Sequence, residues 1–291
     1  MRIKLLMRKF GWTGRDVPIV GMGTWMIEGR TKDADKRAIE AMQLGIDLGM
    51  THIDTAEMYG NGRAEELVAE ALNGRRQSVF LVSKVLPTNA SYDRTLKACE
   101  RSLKRLKTEY IDLYLLHWPS SHHPIEETMR AMEKLVDEGM IRFIGVSNFD
   151  VEQLREAQSA LKKYRIACNQ VLYHIDYRGI EHDLLPYCAQ NEIAIVGYSP
   201  FGHGNFPSDQ SRGGKILNEI AKRHNRTVRQ VVLNFLTRDS NLFTIPKAAN
   251  PDHVRDNSGA VGKNWKLDDE DIATIDRTFP LPTANKRLEM I

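Results

Sequence analysis

The chain has 291 residues, of which 42% are hydrophobic and 27% are charged, a composition typical of a globular protein. Its 41 basic and 38 acidic residues give a net charge of +3, which excludes the strongly basic surface of a nucleic-acid or membrane-surface binder. Because no run of eighteen or more apolar residues occurs, the sequence predicts no membrane-spanning helix.

Strand-like and helix-like segments alternate along the whole sequence. Short apolar runs rich in β-branched and aromatic residues predict eight strands. In chain order, these strands are 17–25, 51–55, 78–85, 110–118, 141–149, 166–174, 192–200 and 241–247.

Each predicted strand is followed by a segment whose apolar residues recur with helical spacing. Glycine and proline mark several ends; Pro124, for example, opens one helix and Gly139 lies near its end. The predicted helices are 34–50, 62–74, 91–106, 124–140, 151–161, 180–191, 215–224, 227–238, 251–261 and 267–279.

Eight strand–helix units without a Pro/Ser-rich linker predict a (β/α)8 TIM barrel, with residues 1–291 as a single domain. A doubly wound sheet is the competing α/β architecture, but the segment 21–26, GMGTWM, lacks the third glycine of a GxGxxG motif. A turn at Gly14 within the first 16 residues predicts an N-terminal hairpin at the bottom of the barrel.

Three cysteines, Cys99, Cys168 and Cys188, are scattered and form no CxxC motif or plausible disulfide framework. This usage favours a reducing cytoplasm. The basic segment 1–10 has an apolar run too short for a signal-peptide core. We therefore expect a cytoplasmic monomer that acts on a small molecule, without nucleic-acid or membrane partners.

Polar residues end three neighbouring predicted strands: Asp54, Lys84 and His117. Tyr59 follows Asp54 by five residues, on the next loop. Taken singly, each has an ordinary explanation, such as a capping aspartate or a solvated lysine. In a barrel, however, the carboxyl ends of the strands form the active-site face, so we expect these four side chains to be neighbours.

The four residue types together suit proton transfer at a carbonyl oxygen. Tyrosine has a pKa of about 10, and a nearby ammonium such as that of Lys84 is expected to lower it. Asp54 would compensate the charge of the buried lysine, and His117 would polarise the substrate oxygen. No nucleophile is present, so acyl transfer is disfavoured. Reduction then requires a hydride cofactor.

Together with their flanking motifs, these four residues resemble those of the aldo-keto reductases, in particular small prokaryotic members. The matching segments occur in family order across essentially the whole chain: GMGTW, IDTAEMYGNGRAEE, VSKV, IDLYLLHWP, IGVSNF, CNQVLYH, YSPFG and IPKAANPDHVRDN. The resemblance implies a (β/α)8 barrel that binds NADP(H) without a Rossmann motif. It also implies that Tyr59 is the general acid, tuned by Lys84 and Asp54, and that His117 orients the carbonyl.

The resemblance further implies roles in cofactor binding. Ser147, Asn148 and Gln170 would hold the nicotinamide carboxamide, and Tyr198 would stack on the nicotinamide ring. The remaining implied positions are Gly23, Thr24 and Asp54 on the nicotinamide side, and Ser199, Phe201, Gly202 and His203 around the pyrophosphate.

At the adenosine end the sequence departs from the family pattern. Lys247 would bind the 2′-phosphate, and Asp256 and Asn257 would bind adenine. However, Ala248 replaces the usual Ser or Thr, and His253 replaces the usual arginine, whose bidentate fork a histidine lacks. Because Lys247 and a protonated His253 can still bind the phosphate, we expect a weaker NADPH preference than usual, with NADH also accepted.

Aromatic residues near the predicted site, Trp25, Tyr59, Trp118 and Phe149, together with His117, would line the substrate pocket. Such a pocket suits small aldehydes and ketones, including dicarbonyls such as methylglyoxal, or aromatic aldehydes. In the family that the sequence resembles, the C-terminal loop shapes the pocket, so the resemblance implies that the short tail 280–291 leaves an open, permissive site.

Other functions remain open from the sequence. The barrel could be a non-catalytic, cofactor-binding regulatory protein, or a lyase or isomerase that uses Lys84 as a Schiff base. His117, His122 and His123 have no defined ligand geometry, so no metal site is predicted there.

Overall fold

The computed structural model describes residues 5–29, 31–262, 265–283 and 288–290. Within these ranges, eight parallel strands, β3 to β10, form one sheet in chain order, and β1 and β2 form a separate antiparallel pair. The strands are β1 Met7–Lys9, β2 Asp16–Pro18, β3 Met22–Gly23, β4 His52–Asp54, β5 Phe80–Val85, β6 Ile111–Leu116, β7 Ile141–Ser147, β8 Ile166–Leu172, β9 Ala194–Tyr198 and β10 Leu242–Thr244.

The two edges of the eight-stranded sheet meet. Val20 pairs with Thr244 and Gly23 with Lys247 in parallel bridges, and the Gly21 amide donates to the Thr244 carbonyl at 2.8 Å. A Cβ on residue 23 would lie 2.7 Å from the Ile245 carbonyl oxygen, so glycine is required for this close approach. The sheet therefore closes into the predicted (β/α)8 barrel, which is confirmed.

Helices lie between the barrel strands, and most of them begin after a polar cap residue. In three helices the cap side chain and the third helical residue bond reciprocally: Asp150 with Gln153, Thr227 with Gln230, and Asp268 with Asp271. The helices are α1 Lys32–Asp47, α2 Arg63–Ala71, α3 Tyr92–Leu106, α4 Ile125–Asp137, α5 Val151–Ala160, α6 Leu184–Gln190, α7 Arg212–Arg223, α8 Val228–Leu236, α9 Pro251–Ser258 and α10 Asp269–Thr278.

The first predicted strand, 17–25, is wrong as a single element. Its first two residues, Val17 and Pro18, belong to β2, which pairs with Met7–Lys9 instead, and Met22–Gly23 is the part that forms a barrel strand. Gly14 adopts a left-handed conformation, φ 69°, which reverses the chain between the two hairpin strands. The predicted N-terminal hairpin is thus confirmed, but it takes residues that the periodicity assigned to the barrel.

The hairpin closes the amino-terminal end of the barrel with an aromatic side chain. Phe10 is fully buried, and its ring centroid lies 6.0 Å from His52, 5.0 Å from Phe80 and 4.9 Å from Phe243. These partners belong to three barrel strands, β4, β5 and β10. Across the described ranges, no helix is both long enough and apolar enough to cross a membrane.

Candidate active site

Lys84 lies at the centre of a buried hydrogen-bonded cluster at the carboxyl ends of β4 and β5. Its Nζ donates to Asp54 Oδ1 at 2.5 Å, to the Thr55 carbonyl at 2.9 Å and to the Tyr59 hydroxyl at 3.1 Å. Gln170 Nε2 donates to the other Asp54 oxygen at 2.7 Å. The cluster therefore brings together three of the four expected residues through direct hydrogen bonds.

The charges in this cluster are compensated within it. Burial lowers the pKa of Lys84, but the Asp54 carboxylate and the Tyr59 hydroxyl raise it by more, so the net pKa is above its ordinary value. Burial raises the pKa of Asp54 and outweighs the opposite effects of Lys84 and Gln170, so the net pKa is above its ordinary value. Lys84 is consequently a stable ammonium paired with a carboxylate.

The expected lowering of the Tyr59 pKa is wrong in net direction. Lys84 does act to lower that pKa, but burial of the phenol outweighs it, and Asp54 adds to the rise. Because the net pKa lies above its ordinary value, the hydroxyl is protonated at neutral pH. The Tyr59 phenol therefore carries its proton in this structure.

The fourth residue, His117, lies beside Tyr59 without touching Lys84 through a hydrogen bond. The two ring centroids are 5.6 Å apart at 71°, an edge-to-face contact. Burial, followed by the Lys84 charge, lowers the pKa of His117 to about 2, so the imidazole is neutral. A neutral imidazole can donate one N–H to a substrate oxygen.

Four residues expected at the nicotinamide form a second connected set. The Tyr198 hydroxyl donates to Asn148 Oδ1 at 2.9 Å, and Asn148 Nδ2 donates to the His117 carbonyl at 3.1 Å. The Ser147 hydroxyl donates to the Gln170 carbonyl at 2.8 Å. These bonds connect the ends of β7, β8 and β9 to the buried cluster around Lys84.

Both sets open into one cavity of about 140 Å³. Two of its lining residues were missed by the sequence analysis: Met58, the residue before Tyr59, and Ile245, just beyond β10. Both lie inside the family-matching segments, IDTAEMYGNGRAEE and IPKAANPDHVRDN, but apolar residues there gave no chemical reason to single them out. The other lining residues are Gly23, Thr24, Trp25, Asp54, Tyr59, His117, Trp118, Ser147, Asn148, Gln170, Tyr198, Ser199 and Lys247.

Several predicted residues lie outside this cavity. Phe149 is fully buried and does not line it, so its expected place in the substrate pocket is wrong. The loop after β9 places His203 against Trp25, with ring centroids 4.7 Å apart, and Phe201 and Gly202 precede it. His253, Asp256 and Asn257 lie on α9.

The predicted tail, 280–291, falls partly outside the described residues, at 284–287 and 291. Among the residues that the structure describes, one group has the spacing of metal ligands: His224, Asp268 and Asp271. Its Asp271 carboxylate is already bonded to Arg223 and His224. This group lies apart from the three histidines weighed from the sequence.

The sequence is similar to one protein family and to characterised members of it. The model of the Aldo/keto reductase family matches residues 19–279. Methylglyoxal reductase YeaE of Escherichia coli is 43% identical over 275 residues, covering 94% of this chain and 95% of that protein. Glyoxal reductase of Bacillus subtilis is 34% identical, with 90% and 89% covered.

Solved structures match equally well. An aldo/keto reductase from Klebsiella pneumoniae, in complex with NADP and acetate, has a TM-score of 0.91 and 42% identity, with 99% of this chain and 100% of that chain covered. A thermostable aldo-keto reductase, Tm1743, in complex with the inhibitor epalrestat, has a TM-score of 0.88 and 41% identity, with 94% and 99% covered.

Proposed function

This chain belongs to the aldo/keto reductase family, and from that premise we propose that it reduces small aldehydes and ketones with NADPH, with Tyr59 as the general acid. One observation carries the proposal: the Tyr59 hydroxyl is 3.1 Å from the Lys84 ammonium, beside the neutral ring of His117. A protonated phenol is thus held next to a cation that stabilises its conjugate base.

The residues present fit the cofactor. Amide and hydroxyl groups of Ser147, Asn148 and Gln170 suit a carboxamide, and Tyr198 offers a flat ring, all lining the cavity that contains Tyr59. When bound, NADPH supplies the hydride to the carbonyl carbon. Lys247, which lines the same cavity, would hold a cofactor phosphate.

Side chains of the protein then transfer the proton to the substrate. Tyr59 donates its phenolic proton to the carbonyl oxygen, and the Lys84 ammonium stabilises the phenolate that remains. Asp54 holds Lys84 in place through the 2.5 Å ion pair, and His117 donates a hydrogen bond that orients the oxygen. Alcohol oxidation uses the same groups in reverse.

A small carbonyl compound is the proposed substrate. The cavity is about 140 Å³ and is bordered by Trp25 and Trp118, and two relatives are named for methylglyoxal and glyoxal. Measuring the rate of NADPH consumption by absorbance with a panel of methylglyoxal, aromatic aldehydes and bulky carbonyl compounds tests this proposal. Strict dependence on one bulky steroid or sugar would contradict it.

Tyr59→Phe tests the general acid. Since this variant removes only the hydroxyl, we expect carbonyl reduction to fall about 100-fold or more while NADPH binding is retained. Tyr114→Phe is a matched control, because Tyr114 is a fully buried tyrosine that does not line the cavity. Wild-type turnover by Tyr59→Phe would exclude this role.

Borohydride trapping and the substrate panel separate the two alternative functions. A Schiff base needs a neutral amine, whereas Asp54 and Tyr59 raise the pKa of Lys84. Covalent trapping of substrate on Lys84 by borohydride would favour a lyase or isomerase. Binding of NADPH without any consumption across the panel would favour a regulatory barrel.

The substitutions at the adenosine end predict a modest cofactor preference. Histidine at 253 and alanine at 248 remove two phosphate ligands that the family pattern supplies, so the NADPH and NADH Michaelis constants should differ less than usual. Measuring both with one aldehyde tests this prediction. A preference for NADPH of several hundredfold would contradict it.

A further inference from the structure

An exposed arginine on α8 is held against the loop after β9 by two aromatic rings. The Arg229 guanidinium carbon lies 5.3 Å from the Phe201 ring centroid and 5.6 Å from that of Phe206. Within the described ranges it forms no hydrogen bond or ion pair. Its N–H donors are therefore available to a ligand, while its ring contacts restrict where the side chain can lie.

The first turn of α8 also contacts the helix expected at the adenosine. The Thr227 hydroxyl donates to Asp256 Oδ1 at 2.8 Å, and Gln230 Nε2 donates to the Asp256 carbonyl at 2.9 Å. Arg229 belongs to the same first turn of α8, so its backbone lies near these residues, while its side chain is directed towards Phe201 and Phe206. Because the Asp256 carboxylate is bonded to Thr227 and forms no ion pair with Arg229, it does not neutralise the guanidinium.

We propose that Arg229 binds the 2′-phosphate of NADPH and supplies the guanidinium that position 253 lacks. The inference rests on the proposed function, since it requires that the chain bind NADPH. The 2′-phosphate is the charged group of the adenosine end, and a guanidinium offers it two parallel hydrogen bonds, which the imidazole of His253 cannot. Arg229 would thus contribute to cofactor specificity from a different helix, together with Lys247, while Ala248 still lacks the hydroxyl that the family pattern supplies.

The alternative is a purely structural contact, in which Arg229 only packs on Phe201 and Phe206 and orders their loop. These two roles differ in their effect on the two dinucleotides. A phosphate contact acts on NADP⁺ alone, because NAD⁺ has no 2′-phosphate. Loop ordering acts equally on both, since they share the pyrophosphate that this loop is expected to bind.

Arg229→Gln and Arg229→Lys separate charge from packing. Calorimetric titration of each purified variant with NADP⁺ and with NAD⁺ gives the dissociation constants without turnover. We expect Arg229→Gln to weaken NADP⁺ binding about tenfold or more, because the charge-assisted hydrogen bonds to the phosphate are lost, with NAD⁺ unchanged within about twofold. Arg229→Lys, which keeps the charge, should show a smaller loss.

Arg155→Gln is a matched control. Arg155 is also exposed and lies over an aromatic ring, 5.2 Å from the Tyr187 centroid, but on α5. It should leave both dissociation constants unchanged. If Arg229→Gln weakened the binding of both dinucleotides equally, or weakened neither, the phosphate-binding role of Arg229 would be overturned, but the proposed function would not. Failure of the wild type to bind NADP⁺ would overturn the proposed function as well.

Discussion

The two ends of the barrel are equally buried but chemically opposite. On β4, His52 faces the aromatic plug of Phe10 at the amino end, whereas Asp54 binds Lys84 at the carboxyl end. The amino end is closed by packed rings, whereas the carboxyl end opens into the cavity beside charges that satisfy each other. This contrast agrees with the general division in such barrels, where the amino end contributes to stability and the carboxyl end, where we propose proton transfer, contributes to catalysis.

The largest expected effect follows from Lys84→Met. Removing the ammonium leaves the buried Asp54 carboxylate without its partner, which should cost about 3–5 kcal/mol of unfolding free energy. Reduction should also fall about 100-fold or more, because Tyr59 loses the cation beside its hydroxyl. Urea denaturation and NADPH turnover measure the two effects, with the exposed Lys104→Met as control. Full activity in folded Lys84→Met would contradict the catalytic role that we propose for Lys84 at the carboxyl end of the barrel.

Phe10→Ala should affect stability without affecting chemistry. Truncating a fully buried phenylalanine is expected to cost about 3–5 kcal/mol, through lost packing and the cavity left behind. The turnover number of the folded variant should stay within about twofold of the wild type. Met7→Ala, in the same hairpin but 43% exposed, is the control. A selective loss of activity in folded Phe10→Ala would show that the plug reaches the catalytic end.

A smaller effect should appear as acid sensitivity at the amino end. Burial, followed by the Lys84 charge, lowers the pKa of His52 to about 3, and neither ring nitrogen has a hydrogen-bond partner among the described residues. Below pH 6.5 the unfolded chain takes up a proton that the folded state refuses, so stability is lost as pH falls from about 6.5 towards 3.

At pH 5 this loss amounts to about 2 kcal/mol for one such histidine. Comparing urea denaturation at pH 7 and pH 5, we expect His52→Leu to lose less stability on acidification than the wild type. Replacing the exposed His122 with Asn should leave the difference unchanged. An identical pH dependence in His52→Leu would mean that His52 is not the group responsible.

Much of the barrel could be predicted because its strands are short apolar runs that end in polar residues. Asp54, Lys84 and His117 each follow such a run, so topology alone places them on one face. The first strand was assigned incorrectly because Asp16–Pro18 has a strand-like pattern that does not say which partner it pairs with. Pairing register depends on contacts distant in sequence.

The sequence by itself determined the fold class and the family and pointed to four candidate proton-transfer residues, because local periodicity and ordered motifs encode them. Only the tertiary structure decided the direction of the Tyr59 pKa, the bond between Gln170 and Asp54, and the position of Arg229 beside Phe201. The reason is physical: desolvation and charge compensation depend on what surrounds a group in space. Those surroundings come from strands and helices far apart in the chain.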